Sequence, residues 1–407
     1  MIKNWFKNIG PGPLVAAAFI GPGTVTLCSI AGVNFGYALL WAMVLSIVAT
    51  LVLQEMSARL GIVSQKGLAE IIRSEIKNPL FKIVAIILIL SAIVIGNAAY
   101  EAGNISGGVL GLEAIFGVQR FELEFISLNY FSIAIGLIAF TLLFIGSYKL
   151  IEKALVSLVI LMSIAFLITA IITKPDIIDI LKGFVPQLPD ESILTVIGLI
   201  GTTVVPYNLF LHASLVKEKW NSPKDLSFAQ KDALIAIILG GIVSMCIIVS
   251  AAAIQTQELT SAADLAKGLE PLFGSYSKYV LASGLFAAGI TSAITAPLAA
   301  AYVASGCLGW SSNLKSFKFR AVWIFVLVIG VMSSTSGIKS IEIIKFAQVA
   351  NGILLPVIAG FLLWIVNKTS VLGVYKNSLK QNVISVIILV ITIFLGLKSI
   401  LKVFEFL

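Results

Sequence analysis

"AAFIGPGTVT", residues 17–26, lies in the middle of the first long apolar run of the chain. Its Gly21-Pro22-Gly23 triplet puts helix breakers where a bilayer centre should be. Proline lacks the backbone N–H and disrupts the turn before it. Hydrocarbon offers no replacement partner, so non-helical backbone at membrane depth persists only inside protein or beside a water-filled cavity. No charged side chain stands next to the triplet.

The surroundings of this stretch are lipid-like throughout. Of 407 residues, 59% are hydrophobic and 12% charged, against about a quarter charged in soluble proteins. Mean hydropathy is +1.05. Cys28, Cys246 and Cys307 sit inside apolar runs, in no disulfide or zinc pattern, and read as small packing residues. The net charge of +8 fits cationic connections on one side of a membrane better than nucleic-acid binding. Lys3 and Lys7 precede a run too long for a cleaved secretory signal. The chain has no phosphate loop, Ser/His/Asp constellation, haem motif or filter repeat. That disfavours an enzyme, an ATP-driven pump and a channel, and no cofactor is expected.

A membrane-crossing helix needs about 20 apolar residues. Eleven such runs are legible, at about residues 13–32, 37–57, 82–112, 130–147, 154–173, 193–214, 233–256, 278–309, 321–336, 340–366 and 382–401. With the N-terminus inside, 19 of the 28 lysines and arginines fall in inner connections. The bias predicts a cytoplasmic N-terminus, an outside C-terminus and a prokaryotic plasma membrane as location. The expected partners are the lipid bilayer and a small-molecule or ion substrate, with no nucleic acid. Connections 61–81 and 216–232 read either as amphipathic surface helices or as solvated loops.

The sixth run is broken too, at "TTVVPYN", residues 202–208. Interrupted helices at matching positions of two five-span halves point to an inverted-repeat transporter. The halves would cover about 13–173 and 193–366 of a single transmembrane domain, with 382–401 added. Each break is expected to free carbonyls, near Ile20, Gly21, Val204 and Val205. Each also exposes N–H groups, at Thr24–Thr26 and Tyr207–Asn208. Carbonyl ends suit cations and N–H ends suit anionic groups.

Several stretches carry a resemblance: "GPGPLVAAAFIGPGTVT", "GVNFGYALLWAMVLSIVATLVLQEMSARLGIVSQKGLAEIIR" and "VPYNLFLHAS" in the first, second and sixth spans, with "LFAAGITSAITAPLAA" and "KFAQVANGILLP" in the eighth and tenth. Together they resemble the natural resistance-associated macrophage protein family. The resemblance implies an all-α polytopic membrane protein with the LeuT-like fold, a 5+5 inverted repeat with eleven transmembrane helices and the first and sixth broken. It also implies proton-coupled uptake of Mn(II), Fe(II) and similar metals. The family's first-span motif Asp-Pro-Gly-Asn reads Gly21-Pro22-Gly23-Thr24 here. Its sixth-span Ala-x-x-Met-Pro-His reads Thr202-Thr203-Val204-Val205-Pro206-Tyr207. The resemblance matches Gln348 to a glutamine that helps line the family's site.

The expected substrate site is therefore Gly21, Thr24, Thr202, Val205, Tyr207 and Gln348. Its donors are neutral, and a bare divalent ion there would lack the counter-charge that offsets its lost hydration. That argues against Mn(II) or Fe(II), which favour carboxylate with imidazole or thioether. A hydrated Mg(II)-like ion keeps its waters and is easier to hold. The family includes magnesium-transporting relatives with altered sites. Small neutral or anionic solutes, held by half-helix N–H groups, are the competing reading. A non-transporting sensor on the same fold is a third.

Embedded ionisable residues are functional candidates by default. In "GNAAYEAGNISGG", Asn97, Glu101 and Asn104 fall on one helical face, with Tyr100 beside them. The resemblance places the family's third-span acid at Glu101, with no companion aspartate. Glu101 can carry a proton, form a fixed pair with His212 or a lysine or arginine, or join a plain polar seam. His212, the only histidine, reads equally as proton relay or packed structural residue. Glu55 can pair with Arg59 at i+4, and Lys345 can snorkel outward. Ser292, Thr295 and Asn351 read as helix-packing groups. The expected mechanism is alternating access, with weak or absent proton coupling.

Overall fold

The computed structural model describes residues 20–123, 126–146, 149–254, 259 and 261–405. Helices of seven or more residues are numbered here in chain order. α1 (Pro22–Phe35), α2 (Leu40–Ser64), α3 (Leu68–Glu75) and the long α4 (Pro79–Phe116) lead to a hairpin of β1 (Arg120–Leu123) and β2 (Ile126–Asn129). In that hairpin Arg120 faces Asn129 across the antiparallel register. Next come α5 (Tyr130–Ile145), α6 (Lys149–Ile172), α7 (Ile177–Gly183), α8 (Ile193–Thr203), α9 (Pro206–Lys219) and α10 (Leu226–Ala252). The chain continues through α11 (Ser277–Leu308), α12 (Phe317–Ser334), α13 (Ser340–Val366) and α14 (Leu379–Glu405).

Each apolar run read from the sequence meets one of these helices. Among the described residues, eight helical stretches are long and apolar enough to cross a membrane, and two shorter apolar helices accompany them. The residues before Ile20, and with them the first part of the first run, lie outside the described ones. α1 itself starts at Pro22, at the break. Connection 61–81 contains the surface helix α3, which buries Leu68, Ala69, Ile71 and Ile72. Connection 216–232 holds no separate surface helix. α9 continues to Lys219, and a single turn at Pro223–Asp225, begun by the Ser222 side chain accepting from Lys224 N–H, leads straight into α10.

The outer surface is apolar, with Ile87, Ile95, Phe325 and Val390 each more than half exposed. Thr24, Asn97, Glu101, Asn208, His212 and Gln348 are buried instead. This inversion suits a lipid solvent, in which polar groups must find protein partners.

α4 is the spine of the fold, with α11, α12 and α13 packed along it. Its glycines make this possible. A β-carbon on Gly107 would lie 2.0 Å from the Pro22 side chain, and one on Gly111 would lie 2.6 Å from the Ala282 carbonyl. Gly108 lies against Gly289, backbone to backbone. Small residues that let backbones approach are the usual means of helix association in lipid. Just before its polar stretch, α4 widens into a π-helical turn at Ser91–Ile95, a feature common near functional sites.

Gly107→Ala forces a methyl into the Pro22 ring and should destabilise the protein by about 1–3 kcal/mol through overpacking. A lower thermal midpoint of the detergent-solubilised protein is the expected result. An unchanged midpoint would contradict the contact between α4 and the first break.

Candidate substrate site

The two breaks meet. Gly21, with extended backbone, caps α1 and Pro22 takes its first position. α8 stops at Thr203, Val204 and Val205 leave helical geometry, and Pro206 starts α9. Proline suits a first helical position because that N–H has no helical acceptor anyway. Across the gap the Thr24 and Thr202 hydroxyls hydrogen-bond at 2.8 Å, both fully buried.

Two of the expected carbonyls accept hydrogen bonds within the protein. The Gly21 carbonyl accepts from Val25 N–H at 3.2 Å, and that of Val205 accepts from Asn208 N–H at 3.0 Å. Both carbonyls thus help close the first turn of the new helix, each with one of its two lone pairs engaged. Of the expected α1 donors Thr24–Thr26, Val25 N–H is the one that bonds the Gly21 carbonyl.

Gln348 of α13 fills the centre. Its side chain lies directly over Gly23, where a β-carbon would come within 2.1 Å of Nε2. Gly201 allows the Gln348 carbonyl equally close to α8. Gln348 Oε1 and the Tyr207 hydroxyl are buried without a hydrogen-bond partner among the described residues. The Tyr207 ring meets Tyr100 edge-on, with centroids 5.6 Å apart, and the Tyr100 hydroxyl interacts with the Gln348 side chain. The structure thus brings Gly21, Thr24, Thr202, Val205, Tyr207 and Gln348 to one place between α1, α4, α8, α9 and α13.

Tyr100, which the sequence sets beside Asn97, Glu101 and Asn104 but not in the substrate site, is a wall residue of it. Its signal was present: Gly103 and Gly107, at i+3 and i+7, mark the face of α4 that approaches α13 and α1. The expected common face of Asn97, Glu101 and Asn104 is divided among neighbours. Asn97 Nδ2 donates to the Ala296 carbonyl of α11 at 2.8 Å. Glu101 packs against Gly330 of α12. Its Oε2 accepts from Asn104 Nδ2 at 3.2 Å, and its Oε1 has no partner among the described residues.

Glu101 forms no pair with His212 or with a cation among the described residues. His212 Nδ1 instead shares a 2.7 Å hydrogen bond with Gln54 Oε1 of α2, and its Nε2 is unpartnered. Glu55 does pair with Arg59, at 3.0 Å, and also accepts from Gln230. Lys345 is 42% exposed and pairs with Glu342. Thr295 bonds the Thr291 carbonyl as a packing group does. Ser292 Oγ and Asn351 Nδ2, read from the sequence as packing groups, are buried without partners among the described residues, as are both side-chain heteroatoms of Asn208 and Thr26 Oγ1. Orphaned buried polar atoms carry a desolvation cost and need a reason. A polar ligand between the two breaks would complete Gln348 Oε1 and the Tyr207 hydroxyl.

The oxygen and amide groups at the centre are neutral. Among the described residues, no group of three or more His, Cys, Asp or Glu is placed to hold a metal ion. The arrangement can hydrogen-bond a hydrated ion or a polar solute. Among the described residues at the two breaks none is a carboxylate, and Glu101 lies one position beyond Tyr100 on α4.

A family model described as natural resistance-associated macrophage protein-like matches residues 12–402. The divalent metal cation transporter MntH of Staphylococcus saprophyticus is 27% identical over 429 residues, covering 99% of this chain and 93% of that one. The protein of the same name from Bacillus subtilis is 29% identical over 352 residues, covering 83% and 80%. Among solved structures, the Eremococcus coleocola manganese transporter, in complex with an aromatic bis-isothiourea substituted compound, superposes with a TM-score of 0.76 at 22% identity over 98% of this chain and 87% of that one. The nucleobase-cation-symport-1 family transporter Mhp1, in a closed conformation, gives 0.53 at 14% identity over 98% and 93%. These likenesses show the LeuT-like fold.

A double-mutant cycle of Thr24→Val and Thr202→Val should give a coupling of about 0.5–1.5 kcal/mol in unfolding stability, the net worth of one buried hydrogen bond. Strictly additive losses would mean that the two breaks are not held together by this contact.

Proposed function

The chain belongs to the natural resistance-associated macrophage protein family, and from that premise we propose that it is a secondary transporter carrying a hydrated, Mg(II)-like divalent cation by alternating access. Its similar proteins are transporters, not enzymes. Metal cation transport is taken from the names of those relatives. The finer choice of ion rests on one observation: the groups gathered at the two breaks are hydroxyls, a phenol and an amide, with Gly21 where the family's motif has its acid.

A bare Mn(II) would exchange six or so water ligands for weaker neutral ones with no compensating charge. Mg(II) dehydrates reluctantly and is commonly held through its waters. Orphaned Gln348 Oε1, the Tyr207 hydroxyl and Asn208 are suited to accept or orient such waters. Weak or absent proton coupling belongs to the same reading, since Glu101 and His212 are held by Asn104 and Gln54 rather than by each other. The proposal includes two five-span repeats within one domain, a cytoplasmic N-terminus and a prokaryotic plasma membrane.

A second reading, a polar non-metal solute, is favoured by the Tyr100–Tyr207 pair beside the Gln348 amide. Aromatic edges and an amide recognise an organic solute as readily as a hydrated ion. A non-transporting sensor would bind either ligand without flux.

Calorimetry on the purified protein should detect Mg(II) binding and little for Mn(II). Failure of both ions to bind sinks the metal reading and leaves the solute. Gly21→Asp combined with Val205→Met should tighten Mn(II) binding about tenfold or more, by restoring a hard charge and a soft thioether. In proteoliposomes, Mg(II) flux should proceed without a matching pH change and should survive Glu101→Gln. A stoichiometric alkaline shift that Glu101→Gln removes would overturn the uncoupled mechanism, and absence of any flux would favour the sensor.

A further inference from the structure

α9 carries one continuous stripe from the central site to its own C-terminal end. Tyr207, Phe210, Ser214, Lys217 and Glu218 recur at i, i+3, i+7, i+10 and i+11, a spacing that keeps side chains on one face of an α-helix. Tyr207 stands at the break, edge-on to Tyr100. The other four line a cavity of about 150 Å³ between α9, α3 and α11, to which Glu70 and Tyr302 also contribute. A water needs only about 10–15 Å³ of such space, so the cavity has room for several. Glu70, Lys217 and Glu218 form no ion pair among the described residues. Charged groups without partners require hydration, and this end of α9 is therefore wet.

Phe210 differs from the rest of the stripe. It lines the cavity yet is only 2% exposed. It is also the one residue of the stripe that stands between the wet end and Tyr207. Three residues at the α-helical rise put the Phe210 and Tyr207 backbones about 4.5 Å apart along the axis. A polar site, a single apolar ring and a charged, hydrated cavity thus follow one another along one helix face. Hydrophobic constrictions of this kind gate by excluding water until the apolar group moves aside.

We propose that Phe210 is a gate residue that closes the central site toward the cavity between α3, α9 and α11, and that the substrate passes through this cavity. The inference rests on the reading of the chain as an alternating-access transporter, which needs its site shut on one side while it is open on the other. Lys66, Lys217, Lys219 and Lys224 gather at this end of the molecule, the end that the cationic bias assigns to the cytoplasm. A ring with a purely packing role would support both sides of the site alike, whereas a gate controls one.

Thiol labelling in proteoliposomes provides the test, on the full chain with Cys28, Cys246 and Cys307 replaced by alanine. A membrane-impermeant methanethiosulfonate is added to one face at a time. Ser214→Cys marks the cavity and identifies its face. From that face Thr202→Cys, at the break, should react slowly. Phe210→Ala should accelerate it by about tenfold or more, because labelling follows the fraction of time that the route is open. Phe210→Leu should give a smaller acceleration in the same direction, and Phe210→Tyr should keep the slow rate. Ser214→Cys should react at the same rate with Phe210→Ala present, which also reports that the variant is folded. Acceleration of Thr202→Cys from both faces alike is general loosening and overturns the gate, as does a rate that Phe210→Ala leaves unchanged. Failure of Ser214→Cys to react from either face overturns the route. Reaction of Ser214→Cys only from the face opposite an N-terminal tag would overturn the proposed orientation of the chain instead, without touching the gate.

Discussion

Backbone that has left helical geometry inside a membrane protein must be enclosed, and the organisation of this chain follows from enclosing it twice. Pro22 and Pro206 each begin a helix where an unbroken one would have been simpler. The Thr24–Thr202 hydrogen bond ties one interruption to the other. Around them the requirement is for close approach. Gly107 admits the Pro22 ring, Gly23 admits the Gln348 amide, and Gly201 admits the Gln348 carbonyl. A methyl group at any of these positions would overlap its neighbour. α4 and α13 can therefore wall the breaks off from lipid only because their contacts are made to bare backbone or to small residues.

The same enclosure creates the chemistry. Packing that protects broken backbone from hydrocarbon leaves a polar interior under a greasy exterior. Its hydroxyls, amides and phenols are not all satisfied by one another. Such groups are expensive unless something else completes them. The arrangement is electrically mild, with the buried Glu101 turned toward Asn104 and α12 rather than into a ring of ligands. A carboxylate at Gly21 would have placed charge at the cap of α1; its absence leaves only dipoles there.

Much of the candidate site was legible beforehand because proline and glycine punctuation is local. Gly21, Thr24, Thr202, Val205 and Tyr207 could be named from the two breaks, and Gln348 through the family resemblance. Side-chain pairing was not legible. One turn of α4 distributes Asn97, Tyr100 and Glu101 among three neighbouring helices, and periodicity cannot say which helix stands on which side. His212 could be singled out as the lone histidine, but its partner Gln54 is 158 positions away in sequence. That the Val205 and Gly21 carbonyls each accept a hydrogen bond in the first turns of α9 and α1 was not legible either.

Hydropathy and helix breakers by themselves determined that the chain is polytopic, where its helices run and where two of them stop. Each of those properties depends on residues within about twenty positions of one another and on the solvent around them. Only the tertiary structure decided that the two breaks face each other through a hydroxyl pair. It also made Tyr100 a wall of the site and set Gln348 into the space over Gly23. Those outcomes depend on how close separate helices can come, and closeness is set jointly by residues hundreds of positions apart.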